Sequence, residues 1–205
     1  MKEKSVYLRA FEPDDYILIN QWRNDKKLQE LTGGNFRYVS SEMEKSWVTD
    51  KIMHNIKDIY LAICINNDSK KMIGYLSINN INHLHRTADC GSILIGDKKY
   101  KNGVMLIDAF LLMYAHVFDT LNINRFSGIC LSTHKSSVVM MEMLGMKGEG
   151  VIRKAIFKNG KYYDQLLYSI LENEYSEIKN SDFFSFRNIL KRAKDIKKNS
   201  LFYCR

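Results

Sequence analysis

The segment "GDKKYKNGVMLID", residues 96–108, has the residue types of a strand-to-helix turn that could hold a phosphate. The first backbone N–H groups of a helix have no partner inside the helix, and the helix dipole adds partial positive charge there. A phosphate is stabilised at such a turn when glycine leaves room for it. Such loops usually carry two or three glycines, whereas only Gly103 remains near this helix start. The segment is either a ligand loop with few glycines or an ordinary helix start.

The composition predicts one globular domain. The chain has 205 residues, of which 45% are hydrophobic, and this is enough for a full core. Its first residues, "MKEKSVYLRAFE", are charged and contain no apolar run of signal-peptide length. The most apolar window, residues 104–118, is shorter than the roughly 20 residues that span a bilayer. We therefore expect a cytoplasmic protein without a transmembrane segment.

The cysteines and histidines do not predict a metal site. The four cysteines are far apart in sequence, and three of them lie in apolar runs, which is typical of reduced, buried cysteines. His83 and His85 would share one strand face, but no third ligand accompanies them. We expect no structural metal.

The hydrophobic patterns predict the element order β α α β β β α β α β β. The first helix is expected at about Pro13 to Arg23, and the second begins at Ser41, with Glu44 completing a capping box. A long helix is expected from Val104 to Leu121, and "KNGK" carries the Asn-Gly pair of a hairpin turn. Helices placed between strands, with hairpins elsewhere, indicate an α+β (mixed α/β) domain.

Several phrases in this order resemble one known family. They are "LRAFEPDD" followed by "WRND", "IGYLSI", "AHVFDTLNINRFSG", "HKSSVVMMEMLGMKGEG" and "NGKYYDQLLYSIL". Between about Val6 and Tyr175 the chain resembles the GNAT N-acetyltransferases. The similarity is to the branch with ribosomal-protein N-terminal, spermidine and nucleotide-amino-sugar acetyltransferases. This resemblance implies a central mixed, mostly antiparallel sheet of about seven strands flanked by helices, with acetyl-CoA as co-substrate and no metal.

The resemblance also implies where acetyl-CoA would bind. The strand before the long helix would offer its backbone to the pantetheine arm, and the turn Lys101 to Met105 would hold the pyrophosphate. The implied cofactor-binding residues are Ile93, Leu94, Ile95, Lys101, Asn102, Gly103, Val104, Met105 and His134. The family pattern of Gln or Arg, two residues, Gly, one residue, then Gly or Ala is incomplete here, because only Gly103 matches a glycine.

A second family segment suggests the proton donor. The family's Asn, Ser, Glu and Gly-Phe positions read His134, Ser137, Glu142, Gly145 and Met146. Many relatives place before the Glu a Tyr that can protonate the CoA thiolate, but this chain has Met141, and a thioether cannot donate a proton. The resemblance therefore leaves Ser137 and His134 as catalytic candidates. A capping role for Ser137 and a solvated loop position for His134 are the alternatives.

The catalytic base implied by the resemblance is Asp89. Relatives often have Glu at this place, and a base must remove a proton from the acceptor ammonium, directly or through water. The alternative is a strand-edge Asp paired with Arg86 or a lysine.

The acceptor site is expected near "QWRND", residues 21–25. In the family the first helices cover the acceptor, so Trp22, Arg23 and Asn24 could bind it, and Arg23 suits a phosphate or carboxylate. The alternative is a helix end in which Trp22 anchors the core and Arg23 is exposed.

We therefore predict an acetyl-CoA-dependent N-acetyltransferase that acts on a primary amine. The basic balance and Arg23 favour a small anionic acceptor such as a nucleotide-linked amino sugar. A protein N-terminus, as in the ribosomal-protein enzymes, is the alternative acceptor, and a polyamine is disfavoured because a polycation prefers an acidic pocket. A catalytically degenerate acetyl-CoA-binding or interaction protein is the alternative of another class.

The C-terminal residues are predicted to form a separate element, 180–205, after an acetyltransferase domain, 1–179. Of the formal charge of +8, the tail carries +5, seven basic residues less two acidic ones. "DFFSFRNILKRAKDIKK" predicts an amphipathic helix with Phe183, Phe186, Leu190 and Ala193 on one face. This face should pack on the domain or on a second subunit, giving a homodimer, with a membrane-surface contact as the alternative. Specific nucleic acid binding is not expected.

Overall fold

A computed structural model describes residues 4–30, 32–101 and 103–202. The strands are β1 (Val6–Ala10), β2 (Ile59–Ile65), β3 (Met72–Asn82), β4 (Thr87–Ile95), β5 (Arg125–Leu131), β6 (Lys147–Lys158) and β7 (Lys161–Leu171). The helices are α1 (Tyr16–Arg23), α2 (Lys26–Gln29), α3 (Ser41–Met53), α4 (Val104–Tyr114), α5 (Lys135–Met143), α6 (Glu172–Lys179) and α7 (Phe186–Asn199).

The described residues form two compact units. Unit 1 contains residues 4–30 and 36–122, and unit 2 contains residues 32–35 and 123–202. Strands β1, β2, β3 and β4 form consecutive antiparallel pairs in unit 1. In unit 2, β7 lies between β5 and β6 and is antiparallel to both. The predicted mixed α/β fold with about seven strands is confirmed.

Unit 1 builds its core on the strands. One cluster joins side chains of α1 and α3 to the strands, and its members include Phe11, Ile19, Trp22, Val48 and Tyr75. The long helix α4 contacts β1. Asp108 on α4 fixes this contact, because its carboxylate accepts bonds from the Ser5 backbone N–H at 2.9 Å and hydroxyl at 2.7 Å.

The β6–β7 hairpin of unit 2 turns where the sequence predicts. Asn159 and Gly160 have φ values of 50° and 78°, the left-handed pair that a two-residue turn of this kind requires. Just before the turn, the buried Lys158 donates from Nζ to the Thr32 carbonyl oxygen at 2.7 Å. Asn35 also contacts the hairpin, where its Oδ1 accepts from the Asn159 N–H at 3.3 Å. Residues 32–35 therefore belong to unit 2.

Three local predictions need correction. The cap of α3 is Ser40, whose hydroxyl accepts from the Met43 N–H at 3.2 Å, so the helix cap lies one residue before the predicted Ser41. The helix begun by α4 ends in a π-helical turn, Ala115–Thr120, closed by the Leu121 N–H and the His116 carbonyl oxygen at 2.9 Å. Helices α2 and α6 were not predicted, because four and eight residues carry little periodicity.

The predicted C-terminal helix is present as α7, but its buried face differs from the predicted one. Ile189 is 2% exposed, whereas Phe186 and Leu190 are 57% and 46% exposed. The guanidinium of Arg192 anchors the helix, because it donates to the Met143 carbonyl oxygen at 3.0 Å and lies 3.5 Å above the Phe183 ring. The helix therefore packs through Ile189 and Arg192, while the division of the chain at residue 179 stays a prediction.

Candidate active site

Strand β4 carries a bulge in its middle. The pairing with β3 shifts between Cys90 and Ile93, so that Gly91 and Ser92 face the single residue Ser77. The Ser77 hydroxyl replaces the missing ladder bond and accepts from the Ser92 N–H at 2.9 Å. Bulges are frequent next to active sites because they interrupt the ladder and redirect the backbone.

The bulge requires glycine at position 91. A Cβ there would lie 2.3 Å from the Ser77 Oγ and 2.6 Å from the Asn79 Nδ2. The Oδ1 atom of Asn79 is buried, and no described residue donates a hydrogen bond to it. Ser77, Asn79 and the peptide groups of Gly91 and Ser92 thus form a polar cluster at the bulge.

Asp89 lies two residues before the bulge and is oriented by its neighbour on β3. Its Oδ2 accepts a hydrogen bond from Asn80 Nδ2 at 2.8 Å. Asn80 has a left-handed backbone, with φ of 53°, and its own N–H donates to Asp58 at 2.9 Å. The guanidinium of Arg86 donates to the carbonyl and side-chain oxygens of Asn122, both at 2.7 Å. The Asp89 carboxylate is therefore held by the side-chain amide of Asn80.

The turn before α4 is fixed by charged side chains. Asp97 accepts from the Lys99 N–H at 3.0 Å and from Lys71 Nζ at 2.7 Å. Lys98 forms an ion pair with Asp25 at 2.8 Å. These contacts hold the pKa values of both aspartates below their usual range, chiefly through the hydrogen bonds from the two lysines.

Gly103 caps α4 in a left-handed conformation, with φ of 80°, and a Cβ there would have no atom within 4 Å. The turn therefore has open space where the sequence predicts a pyrophosphate. Lys101 and Val104 are exposed, Met105 is half-buried, and Asn102 lies outside the described residues. On β4, Ile93 and Leu94 are half-buried and Ile95 is buried. These cofactor-binding assignments stay predictions.

Trp22 and Arg23 make their contacts inside unit 1. Trp22 is buried and stacks on Tyr75 with ring centroids 6.4 Å apart. The Arg23 guanidinium lies 3.9 Å above the Trp47 ring, and its Nη1 is 3.4 Å from Oε1 of Glu44. Burial raises the pKa of Glu44, and Arg23 opposes that shift.

Asn24 connects the end of α1 to the segment before α3. Its Nδ2 donates to the Val39 carbonyl oxygen at 2.8 Å, and its Oδ1 accepts from the Val39 N–H at 3.0 Å. These two hydrogen bonds fix the backbone of Val39 beside the end of α1. A role of Trp22, Arg23 and Asn24 in binding the acceptor stays a prediction.

In unit 2, His134 and Ser137 form a pair at the start of α5. The Ser137 Oγ and the His134 Nδ1 are 2.8 Å apart and share a hydrogen bond. His134 is the residue before the first turn of α5, and the Ser137 N–H donates to its carbonyl oxygen at 2.9 Å. The hydroxyl that could cap the helix is thus directed at the imidazole, which makes a proton relay chemically feasible.

Met141 is buried, and the nearby phenol of Tyr168 is already engaged. The Tyr168 hydroxyl donates to Glu142 Oε1 at 2.9 Å, and Ser200 Oγ donates to the same oxygen at 2.7 Å. Burial and the bond to Glu142 raise the pKa of Tyr168 well above its ordinary value. Tyr168 is therefore a poor proton donor.

Within the described ranges, no three His, Cys, Asp or Glu side chains form a group that could hold a metal ion. Cys64, Cys90 and Cys130 are buried free thiols, and Cys204 lies outside the described residues. Burial raises the pKa of Cys90 to about 12 and that of Cys130 to about 11, so neither is a ready nucleophile. In the part of the chain that is described, no helix is long and apolar enough to cross a membrane.

Comparison with known proteins identifies the family. The acetyltransferase (GNAT) domain family matches residues 5–147, well over half of the chain. The chain belongs to the GNAT acetyltransferases. The GNAT match covers β4, the turn before α4 and the His134–Ser137 pair, so it includes every candidate catalytic residue.

Individual GNAT proteins match more than four fifths of this chain. The SPbeta prophage-derived uncharacterized N-acetyltransferase YokL of Bacillus subtilis is 24% identical over 84% of this chain and 93% of its own. The spermidine N(1)-acetyltransferase of Escherichia coli K12 is 25% identical over 83% and 88%. A crystal structure of spermidine N-acetyltransferase from Vibrio cholerae, in complex with CoA and spermine, superposes with a TM-score of 0.76 at 21% identity. It covers 84% of this chain and 98% of that one.

Sequence reasoning did not identify the polar cluster beneath the bulge. Gly91 within the strand run "TADCGSILI" is the signal that could have found it, because an isolated glycine in a strand often marks a bulge. Ser77 and Asn79 carry no such signal, since their position beside Gly91 depends on the register of β3 and β4. Within the GNAT domain this cluster adjoins the β4 residues expected to meet the pantetheine arm.

Proposed function

We propose that this chain transfers the acetyl group of acetyl-CoA directly to a primary amine. The observation that carries the proposal is the bulge in β4, at Gly91 and Ser92, directly before residues 93–95. There the backbone leaves the regular ladder and can present its peptide groups to a pantetheine chain. The open space at Gly103 fits an approaching pyrophosphate, because among the described residues that are not adjacent to Gly103 no atom lies within 4 Å of a Cβ placed there.

The proposed reaction needs three proton transfers. The acceptor arrives as an ammonium, loses a proton to Asp89 directly or through water, and attacks the thioester carbonyl carbon. As the C–N bond forms, the amine nitrogen loses its second proton to water, the C–S bond breaks, and the CoA thiolate takes a proton. We assign that proton to the hydrogen-bonded pair Ser137 and His134, since Met141 cannot supply it. Asn80 keeps the Asp89 carboxylate in place.

For the acceptor we propose a small anionic amine, of which a nucleotide-linked amino sugar is one member. Residues 32–41 contain Arg37 and no carboxylate, and Lys26 Nζ lies 5.5 Å from the Phe36 ring centre. Arg37 in this segment and the neighbouring Lys26 favour an acidic molecule over a polycation. A protein N-terminus is the alternative. The spermidine acetyltransferases among the relatives add a polyamine to the acceptors that need testing.

The test is an acetylation assay with acetyl-CoA and three acceptors: a nucleotide-linked amino sugar, a short peptide with a free N-terminus, and spermidine. Release of the CoA thiol and the mass of the acetylated product report turnover. We expect acetyl-CoA-dependent product with the anionic acceptor above the other two. Binding of acetyl-CoA in calorimetry without turnover on any amine would support the interaction-protein alternative, and absence of binding would overturn the proposal.

A further inference from the structure

Four cationic side chains of α7 form a continuous stripe on its exposed face. Arg187, Lys191, Lys194 and Lys198 are all exposed. They follow one another at intervals of four, three and four residues, so at 3.6 residues per turn they lie within a sector of about 60°. Along the helix axis they extend over about 16 Å. This stripe is straight, solvent-facing and of one sign.

The orientation of the stripe is fixed by the opposite face of the helix. Ile189 is buried on that face, and Arg192 is held there by the carbonyl oxygens of Met143 and Phe183, at 3.0 and 2.7 Å. The Ser185 hydroxyl caps the first turn through the Asn188 N–H. The stripe therefore faces solvent in the folded chain without any rearrangement.

The stripe carries an excess of positive charge. Across the described residues, Arg187, Lys191 and Lys194 form no ion pair with a carboxylate. Helix α7 contains six basic residues and only Asp195 as an acid, which gives a net charge of +5. Like charges four residues apart destabilise a helix by a few tenths of a kcal/mol per pair, and an external anion would remove that cost.

We propose that this stripe binds the phosphodiester backbone of a nucleic acid without sequence preference. Rows of Lys and Arg recognise such a backbone through charge alone. An anionic lipid surface would also attract the charges, but an interfacial helix inserts the apolar face that lies opposite its cations. Here the face opposite the stripe is already packed through Ile189 and Arg192. The exposed Phe186 and Leu190 point about 110° and 70° away from the centre of the stripe. The charge pattern thus favours the phosphodiester backbone of a nucleic acid.

The probe is a fluorescein-labelled oligouridylate of 20 nucleotides, measured by anisotropy with the full-length protein. With four cations on a single strand, log K should fall with log salt with a slope of about −3. The test variant is K191Q/K194Q/K198Q. The matched control is K57Q/K70Q/K161Q, which removes the same charge from exposed lysines outside α7. Gln has a helix propensity close to that of Lys, so α7 should persist in circular dichroism.

We expect the stripe variant to bind at least tenfold more weakly, with a slope near −1, and the control to bind within about twofold of the wild type. Acetyl transfer to a small amine should be unchanged in both variants, because no stripe residue belongs to the proposed active site. Equal weakening in both variants, or no binding at 50 mM salt, would overturn the proposal. Binding to phosphatidylserine vesicles in place of the oligonucleotide would also overturn it and assign the stripe to membranes.

Discussion

Arg23 and Glu44 form an ion pair in which the acid is completely buried while the base is partly exposed. The closest atoms are 3.4 Å apart, and neither carboxylate oxygen accepts a hydrogen bond from a described residue. The carboxylate is therefore shielded from solvent, and Arg23 is its ion-pair partner among the described residues. Burial raises its pKa because the charged form is disfavoured, and Arg23 keeps that rise in check.

This asymmetry predicts unequal costs for removing either partner. Arg23→Gln should lower the free energy of unfolding at pH 7 by about 3 kcal/mol, because it leaves a buried charge without a partner. Glu44→Gln should cost less than about 1 kcal/mol, since Arg23 can turn to solvent. Urea unfolding of both variants and of the double variant measures the difference. Equal costs for the two single variants would contradict the interpretation.

The Arg23→Gln penalty should also depend on pH. Without its cation, the folded-state pKa of Glu44 lies further above that of the unfolded chain. A group of this kind contributes most below its unfolded pKa and loses that contribution as the pH rises through its folded pKa. The penalty should therefore shrink on acidification from pH 7 toward pH 4.5. Unfolding curves at several pH values check this trend, and the cost of Arg23→Gln in a Glu44→Gln background should stay flat.

Gly103 and Gly160 provide a matched test of the acetyl-CoA turn. Both have φ near +80°, and a Cβ at either position meets no atom within 4 Å. Valine at either site should therefore cost a similar backbone strain, of about 1–2 kcal/mol. Only Gly103→Val should also raise the Kd for acetyl-CoA, by about tenfold or more in calorimetry. An equal Kd in the two variants would remove the pyrophosphate from this turn.

The bulge in β4 predicts a steric requirement at position 91. Gly91→Ala places a Cβ against Ser77 and Asn79 and should destabilise the protein by about 1–3 kcal/mol. Gly150→Ala is the control, because this strand residue has open space around its Cβ position. The control should be neutral or slightly stabilising in thermal unfolding. If Gly91→Ala were as stable as the control, position 91 would tolerate a side chain and the steric requirement would be wrong.

The proton donor can be tested at the start of α5. Ser137→Ala and His134→Gln should each lower kcat by about 10–100-fold, and Ser137→Ala should leave the KM for acetyl-CoA little changed. Ser136→Ala is the neighbouring control and should leave kcat unchanged. Met141→Tyr should leave the rate similar or raise it. Full activity in both His134→Gln and Ser137→Ala would assign the proton to water.

The base is tested separately through Asp89 and Asn80. Asp89→Asn should lower the rate, because the acceptor ammonium would then lose its proton without help. Asn80→Ala should give a smaller loss, since it frees the carboxylate without removing it. A wild-type rate in Asp89→Asn would rule out its role as the base.

Local sequence signals predicted the hairpin turn and placed the cap of α3 within one residue. Asn159 and Gly160 were predicted because a left-handed pair depends on their own backbones. The cap of α3 was placed one residue late, at Ser41, because Ser40 and Ser41 are equally suited and tertiary packing buries Glu44 against Arg23. Because the Glu44 carboxylate contacts Arg23, it does not cap the helix.

Long-range relationships could not be predicted. The Ser77–Gly91 cluster depends on the register of two strands, and the contacts of Arg192 depend on the docking of α7. The buried face of α7 was assigned to Phe186 and Leu190 because aromatic residues dominate the pattern there. The structure buries Ile189 instead, since the hydrogen bonds of Arg192 determine the rotation of the helix.

The hydrogen bonds of residues 32–35 to the β6–β7 hairpin also bear on how this protein could be divided or rebuilt. Among the described residues, the first fifth of the polypeptide supplies unit 2 with residues 32–35, and the rest of unit 2 follows only after residue 122. A gene fragment starting at codon 123 would encode the hairpin without the Thr32 carbonyl that receives Lys158 and without the amide of Asn35. Split-protein reporters or domain transplants cut at this boundary would therefore need the missing peptide supplied in trans.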